Sequence, residues 1–80
     1  MKLFGYSNKD YDEVHPLELS NVTIAANPQE LRRIAKFFNQ AASEIEEDET
    51  GFEHEHLMDN QDGFDPDADI IIYNSALMKD

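Results

Sequence analysis

Between residues 31 and 45 the apolar positions Leu31, Ile34, Ala35, Phe38, Ala42 and Ile45 recur at spacings of three and four, while Arg32, Arg33, Lys36, Asn39, Gln40 and Ser43 fall mainly between them. That period places one apolar stripe along a helix and aims it at a core. Phe37 lies beside the stripe and is expected to cover its edge. The helix start is written in Asn27-Pro28-Gln29-Glu30, a capping asparagine, a proline at the first helical position and a glutamate three residues after the cap. The helix is expected to fade within Glu46-Glu47-Asp48-Glu49, where carboxylates crowd the negative end of its dipole, and to stop at Thr50-Gly51.

Four other segments read as strands. Met1 to Ser7 puts Leu3 and Phe4 on opposite faces, and Leu17 to Ala25 is a longer run rich in β-branched residues. In the second run Leu17 and Leu19 share one parity and Val22 and Ile24 the other, so a single apolar face requires an extra residue, a bulge, near Ser20-Asn21. Phe52 to Met58 alternates, with Phe52, His54 and His56 on one side and Glu53, Glu55 and Leu57 on the other. Asp69 to Asn74 is apolar on both faces, which suits a central strand. The connections, Asn8 to His15 and Asp59 to Pro66, are polar and contain turn formers such as Asp62-Gly63. The order is β-β-α-β-β, so the expected fold is α+β over residues 1–80 as one domain, a mostly antiparallel four-stranded sheet with one amphipathic helix on one face. The other face must be solvated, paired in a homodimer or used to hold a partner.

Composition sharpens this picture. A chain of 80 residues buries one modest core, and a hydrophobic fraction of 40% is too high for a disordered acidic tail. Without cysteine the chain bears no mark of an oxidising compartment, and with no signal-like or membrane-length apolar run the expected location is the cytoplasm. The net charge of −12 is unevenly distributed. Residues 1–40 hold five acids and five bases, whereas residues 41–80 hold thirteen acids against Lys79 alone. Such a field repels nucleic acid and anionic lipid and speeds encounter with a basic partner.

Candidate chemistry is sparse. His54 and His56, two apart on a strand, project to one side and are the weak candidates for sharing a metal ion, yet no other cluster supplies further ligands. Asp65-Pro66-Asp67-Ala68-Asp69 imitates the opening of a calcium loop, but Ile70 and Ala76 stand where that loop needs glycine and glutamate. No nucleophile sits beside a base, and the three glycines form no phosphate-cradling loop. The sequence therefore reads as a binding protein with no cofactor, not as an enzyme.

Taken together, Met1-Lys2-Leu3-Phe4-Gly5-Tyr6-Ser7, Pro16-Leu17-Glu18-Leu19-Ser20, Glu30-Leu31-Arg32-Arg33-Ile34-Ala35, Phe52-Glu53-His54-Glu55-His56-Leu57 and Asp69-Ile70-Ile71-Ile72-Tyr73-Asn74 resemble the immunity protein 32 family of bacterial toxin systems. The resemblance implies a protein made beside a toxin, which binds that toxin's active domain in the cytoplasm and blocks it. Charge adds that the toxin is expected to be basic, as a nuclease domain would be. On that reading Glu46, Glu47, Asp48 and Glu49, with Asp59, Asp62, Asp65 and Asp67, steer and hold the toxin, while an apolar patch near Phe64 or Tyr73 anchors it. The alternative from charge alone is an acidic nucleic-acid mimic or adaptor that binds a basic cellular protein.

Overall fold

The structure, a computed structural model, describes residues 1–7, 18–65 and 68–77. The expected loop at residues 8–15 and residues Leu17 and Asp67 lie outside the described residues. Strand β1 (Lys2–Ser7) pairs antiparallel with β2 (Leu19–Ala25), with Leu3 opposite Ile24 and Gly5 opposite Val22. Beyond Tyr6, which faces Asn21, the register shifts so that Ser7 faces Leu19, making Ser20 the inserted residue of a bulge. The parity conflict in the sequence is resolved in this way: Leu19 turns to the face of Val22 and Ile24. Gly5 is part of the same arrangement, because a Cβ there would lie 2.8 Å from Leu19 Cδ1 and 2.9 Å from the Asn21 carbonyl.

Helix α1 (Pro28–Glu47) starts as its sequence dictates. The Asn27 side chain accepts from the Glu30 N–H at 2.8 Å and the Glu30 carboxylate accepts from the Asn27 N–H at 3.0 Å, a complete capping box. The second Glu30 oxygen lies 3.0 Å from the Met1 α-amino group, so the cap also ties the start of β1 to the helix. The face that α1 buries differs from the expected one. Ile34, Phe37 and Ala41 are buried, whereas Leu31 and Phe38 remain 46% and 41% exposed. Phe37 is thus a central core residue rather than an edge, and the Leu31–Phe38 stripe lies to its side. The reason is the position of the chain that follows: Leu57 and Phe64 pack against Ile34 and Phe37, with Met1, Ile24, Ile70 and Ile72 around them.

After α1, β3 (His54–His56) pairs antiparallel with β4 (Ile71–Tyr73), Glu55 standing opposite Ile72. The strand expected to run to Met58 ends at His56, and Leu57–Asn60 turns into a short helix, α2. Leu57 is fully buried, and its N–H still donates to the Ile70 carbonyl at 2.8 Å. Burying that side chain under α1 pulls the chain out of the ladder. Strand β4 is cut short at its other end by Asn74, which is 2% exposed and followed by a 3-10 turn, Ser75–Leu77. Among the described residues the four strands therefore form two two-stranded sheets, β1–β2 and β3–β4, and not the single four-stranded sheet. The fold remains α+β and antiparallel, but among the described residues β4 has one strand neighbour and leaves Ile71 and Tyr73 53% and 45% exposed.

Candidate functional site

The first acidic segment occupies the exit of α1, where Glu46, Glu47, Asp48 and Glu49 are all exposed and no basic side chain sits in the last helical turn. Asp48 shapes the exit. Its N–H donates to the Glu44 carbonyl, its carboxylate accepts from the Gly51 N–H at 3.0 Å, and its carbonyl accepts from the Phe52 N–H at 3.0 Å. The half-buried Phe52 ring contributes the apolar part of a shallow depression of about 290 Å³ that Glu44, Glu47 and Asp48 also wall. Carboxylates around a small apolar floor suit a lysine or arginine side chain, whose stem and charged head need those two surfaces.

The second segment lies near the other end of the helix. Asp59 is on α2, and Asp62 and Asp65 follow it in the connection toward β4, all three exposed. Arg33 holds this connection down: it donates to the Asp62 main-chain carbonyl, and its guanidinium lies 5.0 Å from the centre of the Phe64 ring. Gly63 between them has φ +87°, which a side chain rarely adopts. Phe64 itself is only 9% exposed and belongs to the core, so it is not the surface anchor proposed from the sequence. Tyr73 is half-exposed and stands opposite His54 on β3. Because Arg33 precedes Glu46 by about 13 residues at 1.5 Å each, the two acidic segments are separated by roughly 20 Å along α1. The structure does not merge them.

The histidines do share a strand face, their rings 5.4 Å apart edge to face. Their carboxylate partners differ. His54 Nδ1 lies 3.3 Å from its neighbour Glu53, whereas His56 Nδ1 lies 2.5 Å from Asp69 Oδ2. The other Asp69 oxygen accepts from the Met58 N–H at 3.1 Å, so Asp69 fastens both the end of β3 and the first turn of α2. The hydrogen bond to Asp69 raises the His56 pKa above 6.5, desolvation opposes it, and the charges of Asp69, Asp59 and Glu55 add to the rise. Among the described residues no group of three or more His, Cys, Asp or Glu side chains is placed to hold a metal ion.

Asn74 was not singled out by the sequence. Its side-chain amide donates to the Glu49 and Phe52 carbonyls at 2.7 and 2.9 Å, its oxygen accepts from the Ala76 N–H, and its own N–H donates to the Glu53 carbonyl. One buried side chain thereby sets the path of the acidic exit of α1. Its only sequence signal is position, a polar residue ending the apolar run Ile70-Ile71-Ile72-Tyr73.

Among the described residues no helix is long and apolar enough to cross a membrane. The sequence model of a family described as immunity protein 32 matches residues 21–75, more than half of the chain. No curated protein and no solved structure matches it.

Proposed function

The chain belongs to the immunity protein 32 family, and from that premise we propose that it binds one cognate bacterial toxin domain and neutralises it through acidic surface. The observation that carries this reading is the family match over residues 21–75, which contains α1, both acidic segments and the Asn74 staple. The charge partition supports a basic partner, such as a nuclease domain, since thirteen of the eighteen acids fall in residues 41–80. The toxin's basic surface would be occluded by docking against carboxylates at the α1 exit, the α2 connection, or both. No covalent chemistry is needed, because covering the surface that recognises substrate abolishes activity. The protein would act in the cytoplasm, where the toxin's target lies.

Co-expression with the toxin domain encoded by the neighbouring gene tests this directly. Survival of the cells together with co-purification of the two proteins is the expected result. Death of the cells, with the chain instead recovered on a housekeeping nucleic-acid-binding protein, would replace the toxin by a basic cellular partner.

A further inference from the structure

Eight large hydrophobic side chains are substantially exposed among the described residues, and four of them, Leu19, Val22, Phe38 and Ile71, line a single open groove of about 400 Å³. Single exposed apolar residues are ordinary, but a contiguous apolar surface marks a place that something covers. The groove lies where the expected four-stranded sheet is interrupted: β2 forms one side, Phe38 of α1 contributes to the lining, and Ile70 and Ile71 form the other. Its position follows from the same features that split the sheet. The bulge at Ser20 turns Leu19 to the groove side of β2, and the burial of Phe37 instead leaves Phe38 out of the core.

Among the described residues the backbone beside the groove is also open. Strand β4 has β3 as its one strand neighbour among the described residues. The bonds from Asn74 N–H to the Glu53 carbonyl and from Leu57 N–H to the Ile70 carbonyl mark alternate hydrogen-bonded pairs of this antiparallel ladder. The intervening residues, Ile71 and Tyr73, therefore turn their peptide groups away from β3. An exposed apolar edge strand of this kind accepts a further strand, with main-chain bonds giving affinity and alternate side chains filling the adjoining groove.

Charge selects the occupant. Among the described residues that line the groove there is no Lys or Arg, and Asp69 is the one charged member. A second copy would bring another net charge of −12 against the first, which opposes self-association. Resting on the immunity reading above, we propose that an extended, cationic segment of the toxin pairs with the free edge of β4 and lays apolar side chains between Val22, Phe38 and Ile71. The acidic segments attract the toxin and this groove holds it.

The test uses the full chain and the toxin domain encoded by the neighbouring gene. Val22→Lys and Ile71→Lys alter residues that are 59% and 53% exposed, so folding survives, and thermal melting checks it. Each should weaken binding at least about tenfold in calorimetry, while Leu31→Lys, at a residue that is 46% exposed but outside the groove, changes it by less than about threefold. In the wild-type complex the Ile71 and Tyr73 amide protons should become protected from exchange, a readout that needs no variant. Groove variants that bind like wild type, or amides that stay unprotected, overturn the groove while leaving the immunity reading intact. Failure of the wild-type chain to bind the toxin removes both. A wild-type dimer in sedimentation that Ile71→Lys dissociates gives the groove to a second copy and overturns the proposal.

Discussion

The Asn74 side-chain amide donates to the Glu49 carbonyl at 2.7 Å, joining the end of β4 to the turn that leaves α1. A second bond, to the Phe52 carbonyl at 2.9 Å, fixes the same turn from its other side. Asn74→Ala leaves two carbonyls and the Ala76 N–H without these partners, beside a position that is itself only 2% exposed. The expected cost is about 2–3 kcal/mol, lowering Tm by on the order of 10 °C for a chain of this size. Asn74→Asp is expected to be no milder at neutral pH, since a carboxylate would face two carbonyl oxygens. Urea denaturation of the three proteins checks the order, and an Asn74→Ala midpoint equal to wild type would remove the staple from the account.

His56 gives a pH dependence with a defined sign. Its folded pKa lies above 6.5 because Asp69 accepts its hydrogen bond, so the native state binds more protons than the unfolded state. The stabilisation is fully present below the unfolded pKa and is lost as pH rises through the folded one. The difference between wild type and His56→Gln in urea midpoint should therefore shrink on raising pH across that window. Asp69→Asn should lower the His56 titration midpoint in NMR, and an unchanged midpoint contradicts the pairing.

At the other end of the chain, Asn27→Ala removes the side-chain oxygen that caps α1 and is expected to cost about 1 kcal/mol, whereas Asn27→Gly costs a few tenths. Chemical denaturation resolves this difference. Equal midpoints for all three proteins would mean that tertiary packing, not the cap, fixes where the helix begins.

The start and length of α1 and the bulge were legible because each is set by local rules, a capping box, a helical period and a parity conflict, whereas α2, which stands between β3 and β4, was not foreseen. The buried face of α1 was not. Its apolar residues span more than one stripe, and only the later packing of Leu57 and Phe64 selects Phe37 over Phe38. The same packing ended β3 early, a tertiary demand that alternation in Glu53-His54-Glu55-His56 could not reveal. For the candidate site, the acids of both segments are exposed wherever they are described, but charge density said nothing about distance. Phe64 illustrates the limit, since an aromatic ring between Gly63 and Asp65 looks like a loop anchor until Arg33 is seen over it.

Separation of the two acidic segments makes their roles experimentally divisible. The roughly 20 Å between them along α1 is about two screening lengths at 0.1 M salt, so charge removed from one scarcely affects the field at the other. One variant combines Glu46→Gln, Glu47→Gln and Glu49→Gln; the other combines Asp59→Asn, Asp62→Asn and Asp65→Asn. The first keeps Asp48, whose carboxylate holds the Gly51 N–H, and the second keeps the bond from Arg33 to the Asp62 main-chain carbonyl. If carboxylates steer the toxin, its association rate with wild type falls at least about tenfold between low and high salt. The variant lacking the segment that faces the incoming toxin should then show a slower rate at low salt and a flatter salt dependence, with dissociation little changed. Stopped-flow measurements supply both rates. A wild-type association rate that ignores ionic strength would mean that the excess of negative charge plays no part in recognition, and the apolar groove would have to account for partner choice alone.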